Sequence, residues 1–270
     1  MQDIIKEESL TEKFYHIESP QTNEIKSNWL AGKKHDHISN NDLKEKSKQW
    51  FFSSKINQIH GLESFPYIDF IYGCTDYINN FLIKQKTYQI LEKEYSYYSL
   101  FGKQQTKLSE LQDNVPVIVS LPNWYYGNKR PDWNEFLKIC EEKNIDIHID
   151  AAWYTATKNF NLELDHSNIK SIAVSMTKSG FQWNKFGIKM SKKKTIDTLT
   201  IRDSFGWVNQ NVLNCANFIM DNIDVDHHWN YYGKNYNIVC DTLNLQKTNF
   251  IHVAKKDGKS VGVANILKNL

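Results

Sequence analysis

Short apolar runs recur along the middle of this chain, and the spacing between them favours alternating strands and helices. Tyr67-Ile68-Asp69-Phe70-Ile71-Tyr72 is strand-like and runs straight into Gly73-Cys74-Thr75-Asp76. Val115-Pro116-Val117-Ile118-Val119-Ser120-Leu121 has the continuous apolar character of a strand buried on both faces. Ile145–Ile149 and Ile169–Val174 are further strands, the first ending at Asp150 and the second just before Lys178. A strand is also expected over Thr87–Leu91, ahead of the aromatic cluster Tyr95, Tyr97, Tyr98 and Phe101.

Helical spacing fills the intervals. After Pro131, the residues Trp133, Phe136, Leu137 and Cys140 fall at i, i+3, i+4 and i+7. Asn41 to about Gln58 predicts a helix with Asn41 or Asp42 near its cap. Residues 76–85 offer Tyr77, Phe81 and Leu82 to one face. A helix within 202–221 carries the stripe Val208, Val212, Cys215 and Ile219. The last part predicts a helix over Trp229–Leu243 and a short strand near Phe250–Val253. Residues 1–40 are polar and weakly patterned, and read as an N-terminal arm.

Strand, helix and strand joined by short links predict right-handed crossovers. The expected fold class is therefore α/β, a mostly parallel sheet flanked by helices, formed by residues 41–225. A short C-terminal α+β piece over 226–270 follows. Gly73, Asn123, Asp150 and Lys178 all fall at the carboxyl ends of strands, where open sheets of this kind bind ligands.

Composition narrows the function classes. A chain of 270 residues with 40% hydrophobic and 13% aromatic content can bury a sizeable core. A net charge of only +2 gives no reason to expect a nucleic-acid partner or a membrane surface. No apolar run approaches the roughly 20 residues of a spanning helix, and no signal segment is evident. Cys74, Cys140, Cys215 and Cys240 are widely separated and form no Cys-x-x-Cys, as expected of reduced thiols in a cytoplasmic protein. Arginine occurs only at Arg130 and Arg202.

The candidate chemistry lies in Asp150-Ala151-Ala152-Trp153 and Ser175-Met176-Thr177-Lys178-Ser179-Gly180. One strand ends in a carboxylate and the next in a lysine flanked by hydroxyls. That is the set pyridoxal phosphate needs: an amine for its carbonyl, an acid beside its pyridinium nitrogen, and hydroxyls or amides around its phosphate. His148 stands between Asp146 and Asp150, but a fourth ligand is not evident, so no metal site is expected. His227-His228 reads as surface.

The order, spacing and strand context of these segments resemble the large domain of fold-type-I pyridoxal-phosphate enzymes, the aspartate aminotransferase superfamily. The resemblance covers roughly residues 60–225 and implies pyridoxal 5'-phosphate as cofactor. It implies Lys178 as the Schiff-base lysine and Asp150 as the partner of the pyridine nitrogen. Gly73, Cys74 and Thr75 correspond to the family's phosphate turn, with Ser175 and Ser179 as further phosphate contacts. Lys185-Phe186-Gly187 stands where relatives have Arg-x-Gly, so Lys185 replaces a guanidinium fork with a point charge. Trp153 stands where relatives often place a Tyr, and can donate through its indole nitrogen but not act as an acid. Asn123 corresponds to the asparagine that bonds the phenolic oxygen, and Tyr95 to the ring stacked on the pyridine, with the nearby Tyr97 and Tyr98 as alternatives for that ring.

The activity implied is that of an aminotransferase acting on an amino acid or amine, in a homodimer. The other readings are a lyase or decarboxylase on the same residues, a non-catalytic relative that keeps the scaffold as a binding or partner module, and an unrelated α/β protein such as a nucleotide-sugar or phosphate-ester enzyme. Relatives supply a carboxylate-binding Arg from a C-terminal domain, whereas no Arg follows Arg202 here and that domain is expected to be abbreviated.

Overall fold

The computed structural model describes residues 5–12, 14–33 and 38–270. Of the expected arm, residues 1–4, 13 and 34–37 lie outside the described residues. The rest of that span is not a plain arm, because it contains helix α1 (Pro20–Leu30). The Ser19 hydroxyl accepts from the Thr22 amide while Thr22 Oγ1 accepts from the Ser19 amide, a reciprocal cap that a reading by apolar stripe passes over. Its Trp29 ring lies 5.8 Å from Phe218. Helix α2 (Asn40–Phe52) is capped by Ser39 rather than by Asn41 or Asp42, and it ends six residues short of Gln58.

Next come β1 (Gln58–His60), β2 (Tyr67–Ile71), α3 (Cys74–Lys84), β3 (Ile90–Leu91), β4 (Gln105–Thr106), β5 (Val117–Ser120), α4 (Trp133–Glu142) and β6 (Ile147–Asp150). They are followed by β7 (Asn161–Glu163), β8 (Ile169–Ser175), β9 (Gly187–Ser191), α5 (Thr198–Ser204), α6 (Gln210–Asn222) and α7 (His227–Thr242). The chain closes with β10 (Gln246–Lys247), β11 (Val253–Lys256), β12 (Lys259–Gly262) and α8 (Ala264–Leu267).

The central sheet has five strands in the order β2-β9-β8-β6-β5. Strands β5, β6 and β8 are mutually parallel, while β9 runs antiparallel to both β8 and β2. The fold is thus α/β with a mostly parallel sheet and flanking helices. Strand β9 was hidden in the sequence by its central Lys189. That residue is only 2% exposed, yet its ammonium is held by Asp69 at 3.1 Å and Asp197 at 2.8 Å. Pairing of this kind is what permits a charge inside a sheet.

Other expectations shift in detail. The strand expected at Thr87–Leu91 shortens to β3, which pairs only with β4. The helix expected within 202–221 is two, broken where Gly206 takes φ 67° between α5 and α6. The strand expected at Phe250–Val253 is a turn leading into β11. Strands β10, β11 and β12 form an antiparallel sheet beside α7, and Thr11 bridges to Gly262 at its edge. Ile5 and Ile17 pack into the same apolar cluster as Tyr236, Val239 and Ile266, so the N-terminal segment covers the C-terminal piece. Among the described residues, no helix is long and apolar enough to cross a membrane.

Candidate active site

Four strand ends converge at one edge of the sheet. Because β2, β5, β6 and β8 all point the same way, Ile71 leads into Gly73, and Ser120, Asp150 and Ser175 end neighbouring strands. Ser120 and Asp150 are direct partners in the β5–β6 register.

Lys178 follows β8 on a single turn, Thr177–Ser179, closed by Gly180 at φ 89°. Its ammonium lies 4.4 Å from the centre of the Trp153 ring. Burial lowers the proton affinity of Lys178, while the charges of Asp150 and Cys74 act the other way. The amine is therefore easier to free than that of an exposed lysine.

Asp150 is 5% exposed. Burial raises its pKa, opposed by hydrogen bonds from Tyr98, the Ala152 amide and Cys74. Tyr98 donates to Oδ2 at 2.9 Å and the Ala152 amide to Oδ1 at 3.0 Å. Behind this pair, the Tyr98 hydroxyl contacts Ser120 Oγ at 2.8 Å, and the Ser120 amide donates to Glu94 Oε2 at 2.8 Å. Burial pushes the Glu94 carboxyl up to about 8. Ser120 and Glu94 were not singled out from the sequence, and Tyr98, an alternative there for the stacked ring, instead holds Asp150. Ser120 ends an apolar run as Asp150 does, which is the signal by which the sequence could have shown it.

Gly73 caps α3 with φ 77°, and Cys74 is buried beside Asp150 and Ser175. A methyl group placed on Gly73 would lie 3.5 Å from the Thr177 methyl, so this turn faces the Lys178 turn directly. Thr177 Oγ1 and Ser175 Oγ are 2.9 Å apart. The structure thus brings Gly73, Cys74, Asp150, Trp153, Ser175 and Lys178 together, and adds Thr177. Thr75 is exposed in the first turn of α3.

The remaining expected residues stand differently. Ser179 is buried and donates its hydroxyl hydrogen to the Met176 carbonyl at 3.0 Å, so it closes its own turn. The Asn123 side chain is engaged within its loop, accepting from the Tyr125 amide at 2.9 Å and donating to the Lys93 carbonyl at 3.3 Å. Tyr95 is 44% exposed, with its ring 5.8 Å from Tyr98 and within reach of the Asp150 charge. Lys185 is exposed and is not among the groups whose charge acts on Lys178. Gly187, two residues on, is the position with a steric demand: a Cβ there would lie 2.3 Å from the Val174 carbonyl.

Both arginines are engaged. Arg130 makes a two-pronged contact with Asp132 at 2.6 and 2.9 Å and stands 4.0 Å from Glu94. Arg202 donates to Asp76 at 2.9 Å and to the Phe70 carbonyl at 2.8 Å, which places its charge beside the start of α3.

His227 and His228 are buried rather than on the surface, because α7 turns them inward. His227 Nε2 meets the Ser179 carbonyl at 2.8 Å, which ties α7 to the Lys178 turn. His228 packs 5.2 Å from His252, whose ring is 5.7 Å from Trp153. His252 is fully buried with neither ring nitrogen bonded. Residues this far apart in sequence carry no shared spacing that could have revealed the cluster.

Solved structures with the same architecture are known. The histidinol-phosphate aminotransferase of Clostridium acetobutylicum is 17% identical with a TM-score of 0.57, over 90% of this chain and 80% of its own. A PLP-bound putative aminotransferase of Clostridium difficile is 13% identical with a TM-score of 0.62, over 88% and 73%. The chain adopts the aminotransferase fold. The PLP-bound C–S lyase of Staphylococcus hominis shares it, at 11% identity and a TM-score of 0.56 over 87% and 72%. No protein-family model and no curated protein matches the sequence.

The donor set around Lys178 suits pyridoxal phosphate. A half-buried amine of lowered proton affinity stands near a buried carboxylate. Next to them, the Gly73 turn that begins α3 faces Thr177, whose hydroxyl meets that of Ser175, a combination of helix start and hydroxyls that favours a phosphate.

Proposed function

We propose that this protein is a pyridoxal-phosphate-dependent enzyme of the aminotransferase type, acting on an amino acid or amine through Lys178. The observation that carries this reading is the half-buried Lys178 amine, held over Trp153 at the same strand-end edge as Asp150. When bound, pyridoxal phosphate supplies an electron sink for bond cleavage at the substrate carbon next to nitrogen.

The chain's residues have separable tasks in this reading. Lys178 holds the cofactor and moves a proton at Nζ, which its lowered proton affinity permits. Asp150 holds the pyridine nitrogen, and its hydrogen bonds from Tyr98 and Ala152 keep the carboxylate oriented. The Gly73 turn, Ser175 and Thr177 hold the phosphate. The Trp153 face shields the amine from water on one side.

A lyase reading on the same residues is supported by the C–S lyase that shares the fold. Product analysis separates them, since transamination of an amino acid releases an oxo acid without ammonia and elimination releases ammonia as well.

The test is the visible absorption spectrum of the protein with pyridoxal phosphate, wild type beside Lys178→Ala. A band above the free cofactor's, lost in the variant, is expected. A spectrum unchanged by the variant would remove Lys178 from the mechanism.

A further inference from the structure

A second cavity opens at the opposite end of the sheet, near the amino ends of β6 and β8 and beside α3. It encloses about 350 Å³, within the roughly 300–1,000 Å³ of small-ligand sites. His148 forms part of its floor, and Tyr77 and Phe81 of α3 form a wall. The Phe81 and His148 rings are 4.9 Å apart.

A hydrogen-bond chain fixes the direction of the imidazole. The Tyr77 hydroxyl is 2.8 Å from Ser171 Oγ, which is 2.8 Å from His148 Nδ1. Tyr77 is buried, and a buried hydroxyl hydrogen with no acceptor is costly. Tyr77 therefore donates to Ser171, Ser171 donates to Nδ1, and the ring hydrogen stands on Nε2. Burial, with the charges of Lys84, Lys189 and Lys170, pushes His148 down to about 3, so the ring is a neutral donor.

The charges around this donor are mostly positive. Lys84, Lys170 and Lys193 line the cavity. Lys189 and Lys192 line it as well, so these lysines outnumber the two carboxylates present, Asp197, which meets Lys189 at 2.8 Å and Lys84 at 4.0 Å, and Asp146, which meets Lys170 at 3.2 Å. The named charges that act on His148 are those of three lysines and no acid. Ser191 also lines the cavity, 2% exposed and with no partner for its hydroxyl. The Ser191 hydroxyl is thus a buried donor under a positive rim that the described residues leave unsatisfied.

We propose that this cavity binds a small organic anion. Its acidic group accepts from His148 Nε2 between Lys84, Lys170 and Lys193, and its apolar body lies along Tyr77 and Phe81. This inference is independent of the reading of Lys178, which lies at the other end of the strands.

Phenyl phosphate serves as the probe, titrated calorimetrically into the wild-type chain and into Lys84→Gln/Lys170→Gln. Both side chains are substantially exposed, at 42% and 37%, so the double variant keeps its fold. The dissociation constant is expected to rise at least about tenfold, equivalent to ~1.4 kcal/mol. An affinity unchanged in the variant, or no saturable heat with the wild type, would overturn the proposal.

Discussion

Tyr98 donates its phenolic hydrogen to Asp150 across 2.9 Å, and both side chains are buried where β5 and β6 end. The bond favours the charged carboxylate. A hydrogen bond to a charged group is worth about 1.5–3 kcal/mol. Tyr98→Phe is therefore expected to weaken pyridoxal-phosphate affinity by roughly tenfold or more. An absorbance titration that overlays the wild type would show that Tyr98 does not support Asp150.

Thr177 and Ser179 flank the same lysine but have different surroundings. Thr177 contacts Ser175 and faces Gly73, whereas Ser179 closes its own turn. Thr177→Val is expected to lower cofactor affinity while leaving the melting temperature nearly unchanged. Ser179→Ala is expected to cost about 1 kcal/mol of stability from its lost hydrogen bond. Paired melting curves and cofactor titrations check the contrast, and the reverse pattern would refute it.

Burial holds His148 and His228 at about 3, below the ordinary 6.5 of a histidine. The folded state keeps both neutral, while the unfolded chain takes up protons once the pH falls below 6.5. Stability is fully present above pH 6.5 and is lost as the pH falls toward 3, by at most about 1.4 kcal/mol per pH unit for each group. His228→Gln should flatten the decline in melting temperature between pH 6.5 and 4. A slope unaffected by the change would count against the buried neutral state.

Glu94 has the opposite sign. Burial raises its carboxyl from 4.5 to about 8, so the folded state holds a proton that the unfolded chain releases. Its contribution is complete below pH 4.5 and is lost as the pH rises through 8. Glu94→Gln should therefore melt higher than the wild type at pH 9, with a smaller difference at pH 5. Equal differences at the two pH values would contradict this.

Gly187 approaches the neighbouring strand so closely that a Cβ would sit 2.3 Å from the Val174 carbonyl oxygen. Gly187→Ala is expected to destabilise the fold by at least the roughly 1–3 kcal/mol of overpacked cores. Urea denaturation measures it, and a wild-type midpoint would show that β8 and β9 can separate without cost.

The strands that carry the site were legible because each is an apolar run ending in a polar residue. Val117–Ser120, Ile147–Asp150 and Ile169–Ser175 needed only hydrophobic continuity to be found. What stayed hidden depended on partners distant in sequence. Strand β9 was not predicted, because Lys189 interrupts its apolar run and is neutralised by Asp69 and Asp197 only once folded. The buried histidine pair looked like surface because the Ile17 carbonyl that receives His228 lies at the other end of the chain. Asn123 sits at a strand end as expected, but its amide is engaged by the backbone of its own loop and of Lys93, which no motif reports.

The Lys178 loop is tied at its base. The Met176 amide bonds the Phe186 carbonyl at 3.1 Å, continuing the β8–β9 ladder past Ser175, and His227 fastens the far side through Ser179. The backbone beneath the lysine thus has no hinge. The reach of the amine is set by its own side-chain torsions, which turn over far faster than the microseconds or longer of collective opening. Whatever the amine meets, it meets by turning its own side chain and not by movement of the loop that carries it.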